Sequence, residues 1–406
     1  MSDFHQTGVV TTLPRLGLES TGRMVAELTH HARGQPVSLV LPCLHSEIHG
    51  PALKRIVEVL ADVPYLHEVV VSVSGTSRAP EFEQVRRFFE PVRRATCVWG
   101  SGPNVGGLLE RMRRIGLDAG QDGKGRAVWL GIGYALARGE SASLVFHDCD
   151  ILGYDADFLA RLCFPAVHPN LGYDYVKGYY SRVTDRLYGR VTRLLVTPLV
   201  RSLRRTLGNL PLLDFIDSFR YPLAGEFGIT TALARQIRIP NDWGLELGLL
   251  SEVFRNTAPH RVCQVELCDN YDHKHRPLSP GDAAEGLNRM VIDIATSLYH
   301  NLASVGVQFD AGFLNTLCAA YLRQAQDSVS AYADVALING LHFDQHDEEV
   351  MVETFTAGLR AAGLAFVRDP MARELIPNWH RVLAAMPEFP KDLLQIVDRD
   401  ARGPSL

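Results

Sequence analysis

From residue 143 to 151 the chain reads Ser-Leu-Val-Phe-His-Asp-Cys-Asp-Ile, an apolar run that passes directly into two carboxylates. A short stretch that is apolar on both alternating faces predicts a strand covered on both sides, the usual condition of a parallel sheet flanked by helices. In such sheets ligands bind in the crevice beyond the carboxyl ends of the strands. Asp148 and Asp150 therefore mark both a fold class and a place for chemistry.

The surrounding sequence repeats the pattern. Residues 36–43 (PVSLVLPC) and 67–75 (HEVVVSVSG) predict two buried strands, joined by a helix over 51–61 whose Leu53, Ile56, Val57 and Leu60 share one face. A βαβ unit of this kind makes parallel pairing the natural outcome. Further strands are expected at 95–100, 143–151, 173–180 and 261–269, with helices near 21–31, within 125–139 and around 244–254. Beyond Pro280, Leu287, Met290, Val291, Ile294 and Leu298 recur at helical spacing, and the rest of the chain reads as helical. A chain of 406 residues exceeds what one core usually fills. The expected organisation is a leader over 1–35, an α/β domain over 36–280, and a helical region over 281–406 that serves as a dimer interface or a lid.

Composition narrows the function. A net charge of −5 argues against a general nucleic-acid binder, which needs an excess of Lys and Arg along one face. Seven scattered cysteines show no paired spacing for zinc and read as reduced thiols of a cytoplasmic protein. The N-terminus lacks the charged and apolar blocks of a signal peptide, and no uninterrupted apolar run approaches the length of a membrane span.

Several motifs can carry chemistry. In an extended segment Asp148 and Asp150 point the same way, and carboxylate oxygens suit Mg²⁺ or Mn²⁺, which in turn neutralises a diphosphate. The plain alternative is a strand-end turn with solvated acids. His273, in the segment 270–278 (NYDHKHRPL), could complete a metal shell, with His275 competing for that role and Lys274 and Arg276 adding positive charge. Residues 122–126 (DGKGR) open a helix, where free N–H groups and the mobile charge of Lys124 favour an anion, although the pattern is not a P-loop. Between 182 and 205 seven arginines accompany the single acid Asp185. A subset could grip an anionic acceptor, while Arg201, Arg204 and Arg205 read as a solvated helix face. Glu246, near a helix start, could meet an acceptor hydroxyl or merely favour the helix dipole, and Glu226 is similarly ambiguous.

Eight blocks taken in order, PCLHSE (42–47), VSGTS (73–77), GKGRAVW (123–129), HDCD (147–150), GRVT (189–192), PLAGEF (222–227), WGLELGLL (243–250) and DHKHRPL (272–278), resemble the glucosyl-3-phosphoglycerate synthase family across about residues 36–280. The resemblance implies a GT-A glycosyltransferase fold, a nucleoside-diphosphate glucose donor, 3-phosphoglycerate as acceptor, Mg²⁺ or Mn²⁺, and retention of anomeric configuration. It assigns Asp150 and His273 to the metal. Donor contacts fall to Pro42, Cys43, Leu44, Ser46, Ser74, Lys124 and Asp148, and acceptor contacts to Gly189, Arg190 and Thr192, with His275 beside them. Glu246 takes the position of the acid beside the reacting centre, and Lys124 and Asp148 join it as the catalytic group.

The chain also departs from the family pattern. His45-Ser46-Glu47 stands where an acidic pair is usual, Val73 where an Asp usually precedes Ser-Gly, and Tyr271 where an arginine usually lies two residues before the metal histidine. The first two changes leave the donor base open; the third bears on the acceptor's charge. Within the transferase reading, GDP-mannose as donor or unphosphorylated glycerate as acceptor are the alternatives. Outside it stand a nucleotidyltransferase, for which 42–47 lacks the glycine- and basic-rich loop, and a non-catalytic sugar-nucleotide-binding regulator.

Overall fold

The computed structural model describes residues 6, 8–17, 21–271, 280–372 and 375–402. Among these, eight strands form one sheet: β1 (Thr11–Leu13), β2 (Val37–Leu44), β3 (Leu66–Ser74), β4 (Ala95–Trp99), β5 (Ser143–Phe146), β6 (Tyr175–Tyr180), β7 (Phe227–Thr230) and β8 (Val262–Cys268). Their spatial order is β1-β8-β6-β7-β5-β2-β3-β4. Every pairing is parallel except those of β7, which runs against both β5 and β6. This is the mostly parallel, helix-flanked sheet expected of a GT-A fold. The strands expected at 36–43, 67–75, 95–100, 173–180 and 261–269 lie within two residues of those observed.

The expected strand over 143–151 is shorter. Phe146 pairs with Val40 on one side and Phe227 on the other, and the ladder stops there. Its alternation nevertheless continues: His147 and Cys149 are buried, Asp148 and Asp150 half-buried. Extended backbone puts neighbouring side chains on opposite sides, so both aspartates face out of the core even without ladder partners.

The sheet separates two apolar layers. Val40, Val70 and Leu144 face the helix Lys124–Arg138, while Leu39, Leu41, Val69, Val71 and Val145 face the helices Pro51–Ala61 and Ala156–Val167. The helix Lys124–Arg138 is itself covered on its outer side. A Cβ at Gly131 would fall 2.4 Å from Val40 Cγ1 and one at Gly133 2.0 Å from Trp379, so these glycines let sheet and C-terminal segment close on the helix from two directions. Trp129 stacks on Trp379 with ring centroids 4.2 Å apart and donates its Nε1–H to Pro377 O at 2.9 Å.

Residues beyond 280 form the helices Pro280–Ser304, Ala311–Ile338, Gln345–Arg368, Trp379–Ala385 and Phe389–Arg402. Their buried Tyr321, Phe355, Leu359, Trp379 and Phe389 share one cluster with Leu194, Leu199 and Trp129 of the α/β body. The helix Gln345–Arg368 is long and apolar enough to cross a membrane, but Val352, Phe355, Leu359 and Ala362 pack it against its neighbours as a core helix.

Candidate active site

Parallel strands bring their carboxyl ends to one rim, and β7, being antiparallel, begins at that rim. The rim therefore collects Pro42 and Leu44 at the end of β2, Gly75 after β3, Asp148 and Asp150 after β5, Tyr180 at the end of β6, and Glu226 just before β7. Cys149 Sγ lies 3.4 Å from Pro42 O and ties the acidic loop to the end of β2.

Two helix starts complete the arrangement. The segment leading into the helix Leu245–Asn256 closes on the start of the helix Lys124–Arg138, where a Cβ on Gly125 would lie 2.3 Å from Pro240 O, a closeness that only glycine permits. Lys124 and Glu246 are thereby placed on either side of one point. Lys124 Nζ is 2.7 Å from Asp148 Oδ1 and 3.2 Å from Glu246 Oε1. An ammonium at a helix N-terminus opposes the helix dipole, and these two acids offset that cost. Burial would lower the lysine pKa and the Asp148 and Glu246 carboxylates raise it. With 39% of the side chain accessible the carboxylates prevail, and Lys124 remains charged above the ordinary lysine range. Asp122 fixes the turn ahead of it, accepting from Gly75 N at 3.0 Å and Ser101 Oγ at 2.8 Å and pairing with Arg126 at 2.9 Å.

Asp148 is wedged from the other side by Gly225, where a Cβ would fall 2.5 Å from Asp148 Oδ2. Behind it, fully buried Glu226 accepts from Tyr180 Oη at 2.7 Å and Tyr271 Oη at 3.0 Å, the two rings stacking at 3.9 Å. Burial, then the nearby Asp148 charge, push the Glu226 carboxyl up to about 7. Lys177, 1% exposed on β6, donates to Ala224 O at 2.6 Å and is lowered to about 8 by burial against the pull of Glu246 and Glu226. His147 is buried, contacts Tyr154 Oη at 3.0 Å, and is held neutral by a pKa near 4.

Carboxylates this crowded call for a cation. Burial and the neighbouring Asp148 raise Asp150 to about 6, a penalty that a divalent ion removes, and oxygen donors suit Mg²⁺ or Mn²⁺. Among the described residues no group of three or more His, Cys, Asp and Glu side chains encloses a metal. The expected further ligand His273, and His275, lie outside the described residues. Tyr271, the last described residue before them, donates its hydroxyl to Glu226.

The remaining expected residues are placed unevenly. Leu44 is 41% exposed beside Gly75, and Ser46 is exposed two residues on. Cys43 and Ser74 have buried side chains. Gly189, at φ +74°, sits against Tyr221, whose ring packs at a tilt against Tyr180 with centroids 5.1 Å apart and whose hydroxyl accepts from Arg182 at 2.9 Å. That chain of contacts joins the 189–192 loop to the rim. Arg190 pairs with Asp347 and Glu348, and Thr192 Oγ1 is buried without a hydrogen-bond partner among the described residues. Arg190 caps and Thr192 lies within a π-helical turn, Val191–Val196, a distortion common at functional sites. Arg201 and Arg204 pair with Asp214 and Asp217 on the helix surface, in keeping with a solvated face.

Sequence reasoning left Lys177, Asp122 and the tyrosines around Glu226 unassigned. The signal for Lys177 was present, a lone charge inside the apolar strand YDYVKGYY. Asp122 opens the 122–126 segment and has Arg126 as a local partner, but its other partners, Gly75 and Ser101, come from distant strand ends.

The chain matches no family model. It is 41% identical to the glucosyl-3-phosphoglycerate synthase of Persephonella marina, over 98% of this chain and 99% of that one. It is 35% identical to that of Methanococcoides burtonii, over 98% of each. Its fold is also that of the glucosyl-3-phosphoglycerate synthase from Mycobacterium tuberculosis in complex with Mn²⁺, uridine diphosphate and phosphoglyceric acid, with a TM-score of 0.52 and 22% identity over 75% of this chain and 88% of that one. Near-complete alignment with two such enzymes, on a sheet whose rim gathers Lys124, Asp148, Asp150 and Glu246, makes the chain a member of the glucosyl-3-phosphoglycerate synthase family.

Proposed function

We propose that this protein transfers glucose from a nucleoside-diphosphate glucose to 3-phosphoglycerate, with retention of configuration and with Mg²⁺ or Mn²⁺. The observation that carries the reading is the bridge of Lys124 between Asp148 and Glu246, beside Asp150 and at the rim where a nucleotide would lie. The bound metal would supply neutralisation of the donor diphosphate as it leaves. Asp150 and His273 would hold it.

The chain's own groups account for the rest. Lys124 holds a permanent positive charge where negative charge develops on the leaving diphosphate, and a fixed charge at that point stabilises the transition state more than the ground state. Asp148 orients Lys124 and faces the donor sugar or ribose. Leu44 and Pro42 offer the surface for the base, Ser46 a hydroxyl, and Cys43 and Ser74 their backbone. Gly189, Arg190 and Thr192 would seat the acceptor anion, with His275 nearby, so that its hydroxyl approaches on the leaving-group side. Holding both reactants in this geometry can supply about 7–11 kcal/mol in favourable cases. Glu246 positions the acceptor or the sugar rather than attacking it.

The seven cysteines are free thiols, which supports a cytoplasmic setting. Calorimetric titration with UDP and Mn²⁺ tests the donor half of the reading. Binding by the wild type that is lost in Asp150→Ala and in EDTA supports it, whereas equal binding by all three removes Asp150 from the site. Replacing UDP by GDP in the same titration shows which nucleoside diphosphate the site prefers, and turnover with glucose and mannose donors on that base identifies the sugar.

A further inference from the structure

The Arg190 guanidinium, which the family resemblance gives to the acceptor, is engaged by the first turn of the helix Gln345–Arg368 in the C-terminal region. Its Nε is 2.6 Å from Glu348 Oε1, and its outer nitrogen pairs with Asp347 Oδ2. The two acids differ in setting. The Glu348 side chain is 5% exposed and is also ion-paired with Arg193 at 3.0 Å, whereas the Asp347 side chain is 51% exposed. Arg193 in turn donates to Tyr188 O at 2.9 Å and Leu187 O at 3.3 Å, and lies over the Tyr332 ring at 4.8 Å. The backbone N–H of His342 donates to Asp185 O at 2.8 Å, a further tie between the same loop and the C-terminal region.

We propose that Glu348 and Asp347 are positioning residues of the acceptor site with opposite effects, an inference that rests on the assignment of Arg190 to the acceptor. Glu348 is the fixed anchor. It is buried, it is shared by two arginines, and it holds the Nε edge of Arg190, so the guanidinium is presented in one orientation. Asp347 is a displaceable occupant. It is a solvent-exposed carboxylate on the outer guanidinium nitrogen, the place that the carboxylate or phosphate of a small anionic acceptor would take by forming the same planar charge-assisted pair. Acceptor entry on this view exchanges one carboxylate for another, and acceptor affinity is set against an anion supplied by the protein itself. The C-terminal helices thus reach the chemistry through Arg190.

The two acids separate in steady-state kinetics. Removing an exposed competitor should be worth little, and Asp347→Asn should lower the acceptor KM by about two- to fivefold. Glu348→Gln should raise it by about tenfold, because both arginines lose the charge that fixes them. Donor KM should stay the same in both, and thermal unfolding of Asp347→Asn should match the wild type. If Glu348→Gln lowers stability so far that no kinetics can be taken, the Asp347→Asn result decides alone. An unchanged or raised acceptor KM in Asp347→Asn, with Arg190→Ala still raising it strongly, overturns the inference and leaves the acceptor assignment standing. If Arg190→Ala leaves acceptor KM unchanged, the assignment of Arg190 to the acceptor falls and the inference with it.

Discussion

The ammonium of Lys124 lies 2.7 Å from Asp148 Oδ1, and Glu246 closes the same ion cluster from a third segment of the chain at 3.2 Å. The positive charge is thus held by groups that come together only in the folded sheet. Lys124→Ala should lower kcat by about 10²–10³, the scale of losing one fixed stabilising group in a transition state. It should also weaken nucleotide binding, since Asp148 and Glu246 then face the diphosphate uncompensated. Steady-state kinetics with varied donor check both effects.

Glu246→Gln keeps the size and a hydrogen-bonding carbonyl but removes the charge. The enzyme reading expects kcat to fall by about 10²-fold or more, with UDP affinity within about twofold of the wild type. A regulator that only binds sugar nucleotide would keep both its affinity and its biological effect in this variant. Parallel turnover and binding measurements distinguish the two.

Gly225→Ala is a test by one methyl group. Its Cβ would sit 2.5 Å from Asp148 Oδ2, so the carboxylate must shift and its pairing with Lys124 is disturbed. Activity should drop by about tenfold or more while the protein stays folded, because the clash is relieved at the end of a side chain and not in the backbone. Circular dichroism alongside turnover checks this.

Stability should depend on pH through Glu226. Its carboxyl is raised from the ordinary value near 4.5 to about 7, first by burial and then by Asp148. Between those limits the folded state binds more protons than the unfolded one, so this group's contribution is complete at the acid end and declines as pH rises to about 7. Glu226→Gln should flatten that decline. Urea unfolding in EDTA across pH 5–7 reads the slope, and equal slopes in the two proteins contradict the assignment.

Trp379 should be a keystone for the whole chain. It stacks on Trp129 and fills the space that Gly133 leaves open. Trp379→Ala should cost about 3–5 kcal/mol, within the range for emptying a buried aromatic site. Urea unfolding of the wild type should show one transition, since the C-terminal helices and the sheet share a core; two separated transitions would mark the helical region as an independent unit.

Much of the fold was legible because buried parallel strands announce themselves as apolar runs, and β2, β3, β4, β6 and β8 were found within two residues. β1 and β7 were not, for a physical reason. At three and four residues, with a glycine in β7, they lack the length for any periodicity and owe their pairing to longer neighbours. The carboxylates of Asp148 and Asp150 were visible because they end an apolar run. The 189–192 block could be read as an acceptor loop from resemblance, but its link to Asp347 and Glu348 spans more than 150 residues. No local pattern encodes an ion pair made by two distant helix and loop ends. Asp122 and the tyrosines around Glu226 were hidden for the same reason.

The central claim is transfer itself. Purified protein incubated with Mn²⁺, UDP-glucose or another nucleoside-diphosphate glucose, and 3-phosphoglycerate should yield glucosyl-3-phosphoglycerate by mass spectrometry, with one nucleoside diphosphate released per product. Product should be absent with Asp150→Ala and with EDTA. Metal-dependent nucleotide binding with no glycoside formed from any glucose or mannose donor, on either 3-phosphoglycerate or glycerate, would contradict the account.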